Sequence, residues 1–135
     1  MDMPLPNAAI LDRKMRIVEL LQNVLGKDGV IFDPAETRAY ECDALSAYRC
    51  PPLCVVLPRT TQEVSAVLAV CHAENVPVVP RGSGTSLAGG AMPTADAVIL
   101  GVSRLNAVLE THYGDRMIRV QTGRTNLSVT GAVEQ

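Results

Sequence analysis

The 135 residues carry a formal net charge of -2 and are 47% hydrophobic but only 3% aromatic. A chain of this length holds one domain at most, with an aliphatic core of Val, Leu, Ile and Ala. It offers no basic field for a phosphate backbone and few rings for bases to stack on, so nucleic-acid binding is set aside.

Met1–Asn7 has prolines and an aspartate where a signal peptide would build an apolar stretch, and Val64–Cys71 is too short to span a bilayer. A cytoplasmic chain is expected. The four cysteines, Cys42, Cys50, Cys54 and Cys71, then read as reduced thiols. Cys50 and Cys54 flank a Pro-Pro pair, and neither His72 nor His112 stands at a zinc-ligand spacing, so no metal site is expected.

Apolar residues recur helically from Ile10 to Leu25, with Gly26 as the stop. Val30–Phe32 reads as a short extended piece. Asp33-Pro34 is an N-cap followed by proline at the first helical position, predicting a brief helix to about Ala39. Tyr40–Pro52 has no period and reads as a connector. Cys54–Leu57 is an apolar strand. Thr60–Glu63 forms a capping box in which Glu63 reaches back to the cap. Val64, Val67, Leu68 and Cys71 then mark the buried face of a helix ending near Glu74-Asn75. Val76–Val79 is the next strand, and strand–helix–strand at this spacing predicts a parallel βαβ unit. Ala97–Val102 is a buried strand. Val108–Tyr113 and Met117–Gln121 form a hairpin around Gly114-Asp115, Gly123 breaks the chain, and a weak helical pattern begins at Thr125.

The strand Val76–Val79 opens the segment VPVVPRGSGTSLAGGAMP, residues 76–93, whose glycine-rich part runs on toward the strand Ala97–Val102. Glycines following a strand can turn successive backbone amides inward to make an anion-binding concavity, at the sheet edge where open α/β folds bind ligands. Ser83, Thr85 and Ser86 add hydroxyls and Arg81 a cation, so a diphosphate is the natural guest. It is not a P-loop, because Gly89-Gly90 is followed by Ala91 rather than Lys, and it lacks the third glycine of a Rossmann fingerprint. From the residues alone, a phosphate-binding loop and a tight surface turn both remain open.

This loop resembles the diphosphate-binding loop of FAD-linked oxidases of the vanillyl-alcohol oxidase and p-cresol methylhydroxylase type. Together with YECDALSAYR (Tyr40–Arg49) and VVLPRTTQEVSAVLAVCH (Val55–His72), in the same order and spacing, it is most similar to the FAD subunit of bacterial glycolate oxidases. The resemblance covers about residues 37–133. It implies an α+β fold: the N-terminal part of a p-cresol methylhydroxylase-type FAD-binding domain over residues 51–135, behind a helical leader and connector over residues 1–50.

For the site, it implies that Arg81, Gly82, Ser83, Gly84, Thr85 and Ser86 wrap the FAD diphosphate, mostly through main-chain amides, and that Gly123 runs beside the cofactor. Thr122 and Arg124 depart from the family pattern around Gly123, where proline and an apolar residue are common. Thr85 stands where covalently flavinylated relatives carry histidine, so no covalent flavin bond forms here. The chemistry implied is oxidation of a 2-hydroxy acid, of glycolate or D-lactate type, to the 2-oxo acid, with hydride passing to flavin N5. Electrons would leave through an iron–sulfur subunit and a second flavin-domain-like subunit, which would also provide any membrane association. The family's second flavin segment, substrate cap and histidine-rich metal motifs have no counterpart among these residues, so no catalytic base is assigned, and the chain alone is expected to hold FAD weakly or not at all. A non-catalytic nucleotide- or phosphate-binding module and an inactive truncated gene product are the alternative readings. Tyr40 and Arg49 are either neighbours of the active site or tethers between leader and flavin domain.

Overall fold

The computed structural model describes residues 4–134. Asn7 caps α1 (Ala8–Leu11), its side chain accepting from the Ala9 amide at 3.0 Å. α2 follows at Lys14–Leu25 and ends where Gly26 takes a φ of 73°, a backbone state that costs glycine little. The predicted single helix over Ile10–Leu25 is therefore bent at Asp12-Arg13. Arg13 leaves helical geometry (φ −100°, ψ 9°) as its guanidinium donates to the Glu74 carboxylate and, at 3.1 Å, to the Glu74 carbonyl. Arg16 reaches the same carboxylate at 3.0 Å, so the leader is pinned to the far end of the next long helix.

β1 (Val30–Ile31) leads to α3 (Pro34–Thr37), capped by Asp33, which accepts from the Ala35 amide at 2.8 Å. A 3-10 turn over Arg38–Tyr40 completes the stretch predicted as helix. β2 (Cys54–Val56), α4 (Thr61–Ala73), β3 (Val78–Arg81) and β4 (Val98–Gly101) follow. β5 (Val108–His112) and β6 (Met117–Val120) make the expected hairpin, a separate two-stranded sheet. α5 (Asn126–Val133) is capped by Thr125.

The larger sheet runs β1-β2-β4-β3, with β1 antiparallel to β2 and both β2 and β3 parallel to β4. The βαβ strands are parallel, as their spacing predicts, but β4 is inserted between them. β3 begins two residues later than predicted, because the Val76 amide donates to the Cys71 carbonyl at 2.8 Å and closes α4. Pro80 is tolerated because β3 is an edge strand. The shift carries β3 on to Arg81, the first residue of the glycine segment.

One core joins Ile10, Ile17, Val18 and Leu21 of the leader to Cys54, Val56, Val67, Cys71, Val98 and Leu100. Val55 and Ile99, of opposite strand parity, are fully buried too. Both faces of the central strands are thus covered, which explains their unbroken apolar runs. Leu68, predicted to face inward, is 45% exposed. The buried stripe of α4 is centred on Val67 and Cys71, with Val64 and Val70 at its margins, so Leu68 falls outside it.

Candidate functional site

β3 and β4 run side by side, and the glycine segment leaves from the carboxyl end of β3. The Val102 amide donates to the Arg81 carbonyl at 3.0 Å, so the two strand ends stay in register as far as the loop. Beyond β4 the chain turns, with the Leu105 amide donating to the Val102 carbonyl at 2.9 Å. After the hairpin it returns beside this turn, where the Gly123 amide donates to the Leu105 carbonyl at 2.8 Å. The gap between the two passes is a polar cleft of about 660 Å³, lined by Gly82 and Ser83 on one wall and by Thr122–Asn126 on the other. It lies outside the carboxyl ends of parallel strands, the edge expected for a ligand.

The backbone supplies the chemistry of the first wall. Among the described residues, no amide from Gly82 to Leu87 donates to a protein backbone or side-chain acceptor. Gly84, at φ 71°, turns the chain within this run. Ser83 and Thr85 are exposed. A row of unpaired amides flanked by open hydroxyls fits an anion that accepts several hydrogen bonds, such as a diphosphate. At Gly82 a Cβ would meet no protein atom within 4 Å, so internal packing places no demand for glycine there.

The remaining candidates have partners inside the protein. The Ser86 hydroxyl accepts from the Ala88 and Gly90 amides, both at 3.3 Å, and the Ser86 carbonyl accepts from the Ala44 amide at 3.0 Å. Arg81 turns its guanidinium toward the connector, donating to the carbonyls of Cys42 at 2.8 Å and Ala91 at 3.1 Å. Gly123 lines the cleft, but its lack of a side chain has an internal cause: a Cβ would collide with the Val102 carbonyl. Arg124 donates to the carbonyls of Asn106 at 3.2 Å and Ser128 at 3.1 Å, shaping the second wall. Ser103, Asn106, Asn126 and Ser128 also line the cleft. They belong to no motif, and only the return of the chain after the hairpin brings them there.

Tyr40 and Arg49 do not line the cleft. Arg49 pairs with Glu41 at 3.1 Å, while the Cys50 amide donates to the Glu41 carbonyl at 2.7 Å, closing the connector on itself. His72 is exposed at the end of α4, and His112 is exposed on β5, 3.6 Å from Glu110. Burial pushes the Cys54 thiol up to about 12, helped by neighbouring Cys71, and pushes Cys71 to about 11. Such thiols stay protonated and inert. Among the described residues, no three His, Cys, Asp or Glu side chains gather as a metal site.

The family described as FAD binding domain matches residues 52–135. The glycolate oxidase subunit GlcD of Escherichia coli (strain K12) is 44% identical over 123 residues, covering 91% of this chain and 24% of that protein. The mitochondrial D-2-hydroxyglutarate dehydrogenase of Bos taurus is 35% identical over 106 residues, covering 78% of this chain and 20% of that protein. The chain thus spans a quarter or less of the length of these relatives. In three dimensions it is similar to p-cresol methylhydroxylase, with a TM-score of 0.81 over 95% of this chain and 25% of that one; at 18% identity the likeness concerns the fold alone. Sequence and fold agree: the chain belongs to the FAD-binding-domain family, as a homologue of glycolate oxidase subunit GlcD with the fold of the N-terminal part of a p-cresol methylhydroxylase-type flavin domain.

Proposed function

We propose that this chain is the diphosphate-gripping part of an FAD-dependent oxidoreductase acting on a 2-hydroxy acid of glycolate or D-lactate type. The observation that carries the reading is the run of unpaired amides from Gly82 to Leu87, which begins with the two residues, Gly82 and Ser83, that line the cleft. Arg81, Gly82, Ser83, Gly84, Thr85 and Ser86 form the cofactor segment. Gly82 and Ser83 line the cleft and face the ligand, Thr85 is exposed farther along the same loop, and Arg81 and Ser86 hold the segment's shape. Gly123 presents its backbone from the opposite wall. Each amide reaching a phosphate oxygen contributes about 1.5–3 kcal/mol, because the acceptor is charged.

Bound FAD supplies a two-electron acceptor for the substrate hydride, and it is not attached covalently at this loop because Thr85 carries no nucleophilic ring nitrogen. Residues 51–135 carry the grip and residues 1–50 buttress it. The intact enzyme passes electrons to an iron–sulfur subunit and a second flavin-domain-like subunit. Among the described residues no helix is long and apolar enough to cross a membrane. The four free thiols suit a reducing compartment, and we place the protein in the cytoplasm, joined to membrane only through such partners.

The test is an FAD titration of this chain, followed by flavin fluorescence. The cleft is open, so weak but saturable binding is expected. A methyl group at Gly82 touches nothing in the protein but occupies the space a phosphate oxygen would approach. Gly82→Ala should therefore keep its circular dichroism spectrum and lose roughly tenfold or more in FAD affinity. Equal affinity in the two proteins would remove Gly82 and its neighbours from the site. Tight binding of ADP with no preference for FAD would favour a simple nucleotide module instead.

A further inference from the structure

Arg81 is the one cation of the glycine segment, and its charge invites assignment to the diphosphate. Its geometry points elsewhere. The side chain extends from the end of β3 under the loop, and Nη1 donates to two carbonyls, Cys42 in the connector and Ala91 at the loop's exit. The guanidinium carbon lies 5.7 Å from the centroid of the Tyr40 ring, within cation–π range. The same guanidinium lies beneath Gly84, where a Cβ would collide with it. One planar group therefore touches the loop's entry, bend and exit and the connector outside it. Close by, the Ala44 amide donates to the Ser86 carbonyl at 3.0 Å, a second tie between the same segments.

We infer that Arg81 is a positioning residue that locks the amide-bearing loop to the Tyr40–Ala44 connector, and that its charge is not a ligand for the cofactor's phosphates. A preformed loop has less conformational entropy to lose when it binds. The connector, although outside the cleft, thereby sets how well the loop receives its ligand. The consequence for FAD rests on the function proposed above; the lock itself does not. Lysine does not replace arginine here, because an ammonium lacks the extended planar group that lies beneath Gly84 and over the Tyr40 ring while its Nη1 serves both carbonyls.

The experiment uses this chain and three variants, Arg81→Lys, Tyr40→Phe and Tyr40→Leu, and has two arms. In the first, amide hydrogen exchange is followed by NMR without any ligand. Arg81→Lys should speed exchange of the Ala44 and Met92 amides by about tenfold while leaving β2 and β4 protected. Tyr40→Phe should match the wild type, and Tyr40→Leu should move toward Arg81→Lys. Unchanged exchange in Arg81→Lys overturns the lock. In the second arm, FAD is titrated at low and high salt. A positioning residue predicts that Arg81→Lys loses about tenfold in affinity at both ionic strengths. Retained affinity, or a loss that disappears at high salt, assigns the charge to the phosphates and overturns the inference. If the wild type binds no FAD at all, the proposed function falls, and the exchange arm alone decides the role of Arg81.

Discussion

Gly82 and Gly123 read alike in the sequence, each a glycine beside a strand end in a segment resembling a flavin site. The folded chain gives them different reasons. Gly82 opens onto solvent, so no packing inside the protein requires glycine there. Gly123 is pressed against backbone: a Cβ would lie 2.8 Å from the Val102 carbonyl carbon and 2.9 Å from the Leu105 oxygen. Backbone cannot swing aside as a side chain can. Gly123→Ala should therefore cost about 1–3 kcal/mol of stability, seen as a lower melting temperature in thermal denaturation. An unchanged melting temperature would show that the strand return is loose. Gly82→Ala should leave that temperature alone and act only on FAD, so the two substitutions separate packing from binding. Arg81 follows the same logic, because residue type announced a cation and only its hydrogen bonds show where the cation points.

Local signals were strong where they concerned a single helix end. Thr60 accepts from the Glu63 amide at 3.1 Å, as the capping box requires. The return arm differs: Glu63 accepts from the Arg59 amide at 2.6 Å, one residue before the cap. Thr60→Ala should cost about 1 kcal/mol, measurable as a shift of the urea midpoint with an unchanged slope; no shift would mean that the Arg59 contact alone suffices to start α4. β3 starts later than its residue pattern predicts because Val76, a residue suited to a strand, is used to close α4. The bend between α1 and α2 was invisible because its partner, Glu74, is distant in sequence. The hairpin was legible from its alternation and its turn, since both are local. Which elements would be neighbours was not: the insertion of β4 between β2 and β3 leaves no trace in the spacing that predicts parallel strands.

At the scale of the molecule, the leader is built into the fold. Its apolar face shares the core of the sheet, and Asn7 donates its amide to the Asp96 carboxylate at 2.8 Å, tying the start of α1 to the approach to β4. Burial alone would raise the Asp96 carboxyl, but hydrogen bonds from Thr94, from the Asn7 amide and from its own amide outweigh it and hold it below its ordinary value of 3.8. A carboxyl lowered in the folded state stabilises the fold above its unfolded value and loses that contribution as pH falls through the folded one. In acid titrations followed by circular dichroism, Asp96→Asn should be less stable than the wild type near neutral pH. The two proteins should converge as pH drops below about 3.8. A constant difference across the whole range would show that the tie does not depend on charge.

Composition and periodicity alone determined an aliphatic core, a parallel βαβ unit, the hairpin, the capped α4 and a glycine loop at a strand end. Motif resemblance further identified its likeness to the FAD-linked oxidases. These are properties of neighbouring residues, governed by backbone sterics and side-chain period, and they survive without knowledge of the fold. Tertiary structure decided strand order, the second wall of the cleft and the direction of Arg81. Each depends on groups brought together from distant parts of the chain: Arg81 with Cys42, Gly82 with Arg124, and Asn7 with Asp96. A hydrogen bond needs its partner within a few ångströms, and only the folded chain brings those partners that close.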